Sequence, residues 1–140
     1  MSDDLYQSAI MERAKTPVRA GRLGSPDISV TVDNPLCGDR VTLDVKLDNG
    51  TVADIGHHVR GCALCQASAS IMAEAVAGQR VSDVGSGRDK IKAMFGGSEA
   101  PAAPWSGYGI FAPVRSHKSR QDCVLLPLEA LAQALAQVKT

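Results

Sequence analysis

The chain has 140 residues, with 15 basic against 15 acidic ones; this is room for one domain with an ordinary core, and it gives no bulk electrostatic reason to bind nucleic acid or an anionic membrane. No apolar run approaches the roughly 20 residues of a membrane helix, and the opening MSDDLYQSAIMERAK lacks the basic-then-apolar order of a signal peptide, so a cytoplasmic protein is expected. In that reducing compartment the four cysteines are expected to be buried, metal-bound or reactive rather than paired in structural disulfides.

Residues 1–29 read as an N-terminal helix and loop. Leu5, Tyr6, Ala9, Ile10 and Ala14 recur at helical spacing, which predicts a short amphipathic helix over Asp3 to Lys15 with Ser2 or Asp3 as its cap. From Thr16 to Ser29, Pro17, Gly21, Gly24 and Pro26 punctuate a basic stretch without apolar period, predicting a loop wrapped on the surface. Arg40 to Leu47 alternates polar and apolar residues, the period of a strand with one face on a core. Asp48-Asn49-Gly50 is hairpin chemistry, and Thr51 to Arg60 reads as the return strand, with Ala53, Ile55, His57 and Val59 on one face.

After Gly61 the period changes. Ala67, Ile71, Met72, Ala75 and Val76 predict a helix that begins near Cys62 and stops at Gly78. Val81 to Phe95 predicts a less regular helical segment broken by Gly85 and Gly87. Residues 96–109 read as an extended loop pinned to the body by Trp105. Leu125, Leu128, Leu131, Leu135 and Val138 predict a terminal helix that starts just after Cys123, with Pro127 in its first turn, where a missing N–H is harmless.

The thiols carry the chemistry. A single free cysteine is commonly a small buried hydrophobe. Cys37, however, stands in turn chemistry between Pro35 and Gly38, and Cys62 and Cys123 are each expected at a helix N-terminus, where exposed N–H groups favour the thiolate that a metal requires. Asp39 adds an oxygen ligand within reach of a four-coordinate site. Cys62-Ala63-Leu64-Cys65 forms a CxxC; Cys65 is a spare ligand, a resolving thiol or core, and its i+3 position favours packing inward behind Cys62. His57 and His58 point to opposite faces of a strand and do not share one metal, and His117 reads as solvated.

Asn34-Pro35-x-Cys37-Gly38-Asp39, the following hairpin, Gly61-Cys62 with Ala67-Ser68-Ala69-Ser70, and Arg120-x-x-Cys123 before a leucine-rich helix together resemble the NifU N-terminal/IscU-like family of iron–sulfur assembly proteins, most of all its SufU branch. The resemblance covers roughly residues 30 to 138. It implies an α+β fold, a small antiparallel sheet packed against helices, with the metal site at one exposed end of a single domain spanning 1–140. It implies metal ligands Cys37, Asp39, Cys62 and Cys123, with Arg120 beside them, holding zinc or a [2Fe–2S] cluster at the same site. Three thiolates and a carboxylate suit tetrahedral zinc, and the oxygen ligand would make a cluster easier to release. The implied function is scaffold and sulfur transfer rather than enzymatic turnover: accepting persulfide sulfur from a SufS-like cysteine desulfurase, with Cys37 as the acceptor on its mobile loop, and passing sulfur or cluster to downstream assembly or acceptor proteins.

Two departures from the family pattern are informative. IscU-type scaffolds carry a histidine immediately before the third cysteine, where this chain has Asp122, and their Pro-Pro-Val-Lys chaperone motif has only a partial and early echo in Ala112-Pro113-Val114-Arg115. Histidine ligation and chaperone binding are therefore not carried over. Two alternatives from other classes remain: a structural zinc module whose metal supplies folding free energy, and a thiol oxidoreductase that uses Cys62 and Cys65.

Overall fold

A computed structural model describes residues 8–34 and 38–138. The expected N-terminal cap at Ser2 or Asp3 and the loop thiol Cys37 lie outside the described residues.

Helix α1 spans Ser8–Lys15, with Ile10 buried. Strands β1 (Ile28–Asn34), β2 (Asp39–Asp48) and β3 (Thr51–Arg60) form an antiparallel meander with β2 in the middle. Asn49 and Gly50 both have positive φ, 51° and 79°, the geometry that a two-residue hairpin turn needs and that Asn-Gly tolerates. The predicted hairpin is therefore present. Strand β1 was not predicted: Ile28, Val30 and Val32 do alternate, but the Pro- and Gly-rich stretch before them masks the strand's start. It pairs with β2 from Ile28↔Val45 to Asn34↔Asp39.

One expectation about strand faces needs correction. A register shift between Lys46 and Leu47 pairs Lys46 with Asp54 but Leu47 with Val52, so Ala53 is left in a bulge. Val52 is buried and Ala53 exposed, while Ile55 and His57 remain inward.

Helix α2 spans Ala63–Val76, α3 Val81–Val84 and α4 Gly87–Phe95. Gly78, at φ +81°, follows the end of α2 as expected. The stretch read as an extended loop is partly helical: Trp105–Ser116 winds as a 3₁₀ helix, driving Trp105, Tyr108, Phe111 and Val114 into the core. The rings stack in sequence, with centroids 5.9 Å and then 5.5 Å apart.

Helix α5 spans Lys118–Ala136, six residues earlier at its start than the leucine spacing predicts. Its first turn projects past the core and carries polar residues, so no apolar period announces it. Cys123 is consequently a helix-interior residue, and Pro127 lies deep within the helix rather than in its first turn. The sheet buries Val41, Leu43, Val45 and Ile55 against α5, which covers β1 and β2, and α2, which covers β3.

The N-terminal loop does wrap the domain. Gly21 N–H donates to the His57 carbonyl at 2.7 Å along the free edge of β3, and Val18 N–H reaches the Ser70 hydroxyl at 2.8 Å. Farther on, Arg22 binds the buried Asp44 carboxylate through two N–H groups at 2.6 and 3.1 Å, joined by the Leu23 N–H at 3.1 Å and the Ser29 hydroxyl. Among the described residues no helix is long and apolar enough to cross a membrane.

Candidate metal centre

The three expected ligand residues that lie within the described residues come from three different elements. Asp39 opens β2, paired with the last residue of β1, at the end of the sheet. Gly38, at φ +75°, donates its N–H to the Asn34 carbonyl at 2.8 Å and closes the β1–β2 connection that carries Cys37 in the chain. Cys62 is the N-cap residue of α2, its extended backbone (φ −72°, ψ 171°) presenting the thiol at the helix start. Cys123 reaches the same point from the second turn of α5.

Asp39, Cys62 and Cys123 each offer one ligand atom, and these atoms lie within 4.8 Å of one another. Cys62 Sγ is 3.7 Å from Asp39 Oδ2. Tetrahedral zinc with ordinary Zn–S and Zn–O lengths sets such a sulfur–oxygen edge at roughly 3.6 Å. The donor set thus fits a borderline-soft four-coordinate ion with one further ligand to come.

Electrostatics favour the ligating state. The Cys62 thiol is lowered from 9.0 to about 7, first by a hydrogen bond from Cys123, then by the N–H groups of Cys65 and Leu64 at the open start of α2; burial and the Asp39 charge oppose the shift. The shift favours the thiolate of Cys62 relative to an ordinary cysteine. For Cys123 the expected helix-terminus effect does not apply, because the residue sits inside α5. Asp39 and Cys123 are buried and Cys62 is half-buried, so the site is reached from solvent past Cys62 and the exposed Gly38 and Gly61.

Cys65 is fully buried in the hydrophobic core and stands outside the ligand group; its backbone N–H is hydrogen-bonded to Cys62. Arg120 is exposed in the first turn of α5, three residues before Cys123. His57 is buried, with Nε2 2.8 Å from the Val18 carbonyl, and burial lowers its pKa; His58 points outward on the opposite face. His117 is exposed just before α5.

Gly61 was not singled out as functional by sequence reasoning. A Cβ there would meet the Asp39 Cγ at 2.8 Å, so the absence of a side chain is what lets the carboxylate lie beside Cys62. The available signal was a glycine directly before a ligand cysteine.

Fold and site together define a small α+β domain that gathers two thiols and a carboxylate at the end of a three-stranded antiparallel sheet. The NifU-like N-terminal domain model matches residues 5–139, and the chain belongs to that family. Relatives include the iron–sulfur cluster assembly scaffold protein IscU of Thermotoga maritima, 28% identical over 96% of this chain and 94% of that one, and the zinc-dependent sulfurtransferase SufU of Bacillus subtilis, 32% identical over 96% and 92%. Among solved structures, the N-terminal part of a nitrogen-fixing NifU-like protein from Brucella abortus superposes with a TM-score of 0.91 at 38% identity, covering 96% of this chain and 94% of that one. The expected fold class is thus the observed one.

Proposed function

We propose that this protein is an iron–sulfur cluster assembly scaffold that accepts persulfide sulfur from a cysteine desulfurase and relays it, or a cluster built from it, to acceptor proteins in the cytoplasm. The observation that carries this reading is the convergence of Asp39, Cys62 and Cys123 within 4.8 Å, with Cys62 poised as a thiolate, in a chain of the NifU-like family. In this reading Cys37, two residues before Asp39 in the sequence, completes the ligand set. Zinc bound by these four residues would hold the thiols deprotonated at neutral pH. In the scaffold role iron is cargo, carried by the same thiolates.

For sulfur transfer, the Cys37 thiolate attacks the outer sulfur of the desulfurase persulfide. A new S–S bond forms on Cys37, the persulfide S–S bond breaks, and the desulfurase cysteine leaves as a thiolate; the proton stays on the transferred sulfur and no net oxidation occurs. Cys62 and Cys123 are fixed by α2 and α5, which leaves Cys37, next to Gly38 in the chain, as the residue assigned this role. Arg120, three residues before Cys123 in the exposed first turn of α5, is the residue we assign to supply positive charge to the bound site. Asp122 in place of a histidine, together with the zinc-dependent relative, favours the SufU-like over the IscU-like mode.

The oxidoreductase alternative is disfavoured by the complete burial of Cys65, since a resolving thiol must be accessible. The test is stimulation of a SufS-type desulfurase by the full chain, with metal content measured alongside. Cys37→Ala abolishes stimulation in this reading; unchanged stimulation would remove Cys37 from the acceptor role. Unfolding on chelation without any persulfide transfer would establish the structural zinc module instead.

A further inference from the structure

One fully buried polar chain connects the two helices that carry ligand cysteines. Ser68 on α2 and Tyr108 on the 3₁₀ helix are each 0% exposed. The Tyr108 hydroxyl lies 2.9 Å from both Ser68 Oγ and the Ser68 carbonyl oxygen, and Ser68 Oγ donates to the Val124 carbonyl at 2.6 Å. Each hydroxyl has a single proton. The Val124 carbonyl can only accept, so it takes the Ser68 proton, and the Tyr108 proton goes to the Ser68 carbonyl oxygen, with the two hydroxyl oxygens side by side. The 3₁₀ helix and α5 are thereby both tied to α2 at Ser68. Burial raises the Tyr108 pKa far above its usual value, which keeps that proton in place.

Val124 immediately follows Cys123. Pro127, four residues beyond Cys123 and inside α5, has no N–H to offer the Cys123 carbonyl, so the helix ladder is interrupted at the turn that carries the ligand. The tie from Ser68 acts on that same turn. It anchors the turn to α2, the helix whose N-cap residue is Cys62. Hydrophobic burial alone would be served as well by alanine and phenylalanine at these two positions, so packing does not account for the hydroxyls.

We propose that Ser68 and Tyr108 are positioning residues that set the placement of the Cys123 sulfur relative to Cys62 by tying the Val124 carbonyl of α5 to α2. This rests on the reading of Asp39, Cys62 and Cys123 as metal ligands. The hydroxyl pair touches no ligand atom; it acts through the helix turn.

The test uses the full chain, reduced and metal-free, titrated with Co²⁺ as a spectroscopic probe and with Zn²⁺ against a chromophoric chelator. Tyr108→Phe and Ser68→Ala are expected to bind Zn²⁺ about 10- to 100-fold more weakly than the unaltered protein, the range typical of lost supporting hydrogen bonds around metal ligands. They are also expected to shift the cobalt d–d and thiolate charge-transfer bands. Val52→Ala, a buried change at the opposite end of β3, serves as the control: it lowers thermal stability and leaves both readouts unchanged. Tyr108→Phe preserves the ring stack and carries the test if Ser68→Ala does not fold. Variants that lose stability but keep the original cobalt spectrum and zinc affinity overturn the positioning role alone. Failure of the unaltered protein to bind either ion, or binding that persists in Cys62→Ser, overturns the metal-centre reading and this inference with it.

Discussion

The Asp39 carboxylate occupies the space that a side chain at Gly61 would take, with its Cγ 2.8 Å from where that Cβ would stand. The glycine's value here is space. Gly61→Ala must turn the carboxylate away from Cys62, and because Asp39 has a short side chain on a paired strand residue it has little room to relocate. We expect the variant to stay folded but to bind Zn²⁺ at least about 10-fold more weakly, the scale of a disturbed ligand environment. Chelator competition measures the affinity, and circular dichroism the fold.

Cys62 should show its lowered pKa directly. Alkylation by iodoacetamide in metal-free protein is expected to rise with pH around a midpoint near 7. Cys123→Ala removes the largest lowering influence and moves the midpoint up; Asp39→Asn removes a carboxylate that disfavours the thiolate and moves it down. Site-resolved mass spectrometry of the alkylated peptide gives both midpoints. Identical midpoints in all three proteins would contradict the hydrogen-bonded thiol pair.

Asp44 couples the wrapped loop to pH. Burial pushes its pKa up, but hydrogen bonds from Arg22, Ser29 and the Leu23 N–H outweigh burial and hold it below the ordinary 3.8. With a depressed folded-state value, the charged form stabilises the fold above the unfolded-state pKa, and that contribution is lost as pH falls through the folded-state one. Asp44→Asn should therefore melt earlier than the unaltered protein at pH 7, with the gap narrowing below about pH 4, near the unperturbed aspartate value. Thermal melts across pH 2–7 check the sign, those limits being chosen to span roughly the carboxylate range.

Gly87 offers a test of packing against propensity. An alanine in place of a helical glycine usually gains up to about 1 kcal/mol. At Gly87, however, the added Cβ would overlap the buried Trp105 ring, whose neighbour Tyr108 limits its retreat. Overpacking of this kind costs about 1–3 kcal/mol, so the net effect of Gly87→Ala is destabilising. Urea unfolding measures it.

How far the fold was legible follows from the range over which each signal acts. The β2–β3 hairpin and the start of α2 at Cys62 were readable because period-two alternation, Asn49-Gly50 and the change of period at Gly61 are all local. The start of α5 was not, because Lys118 to Asp122 lie beyond the core and continue the helix by backbone hydrogen bonding without any apolar pattern. The bulge at Ala53 was hidden for a related reason: strand register depends on the partner strand.

The sequence by itself singled out the candidate ligand types and their places in the chain: a cysteine at 37, a carboxylate two residues on, a thiol opening a helix and another ahead of a leucine-rich segment. Those are properties of near neighbours in the chain. Only the tertiary structure decided that Asp39, Cys62 and Cys123, held by β2, α2 and α5, lie within 4.8 Å of one another, and that Cys65, one helical turn from Cys62, is turned into the core. Distances between distant segments are set by how helices pack on a sheet, and in this chain that packing includes a close approach of the Asp39 carboxylate to Gly61 and a buried hydrogen bond from Ser68 on α2 to the Val124 carbonyl on α5.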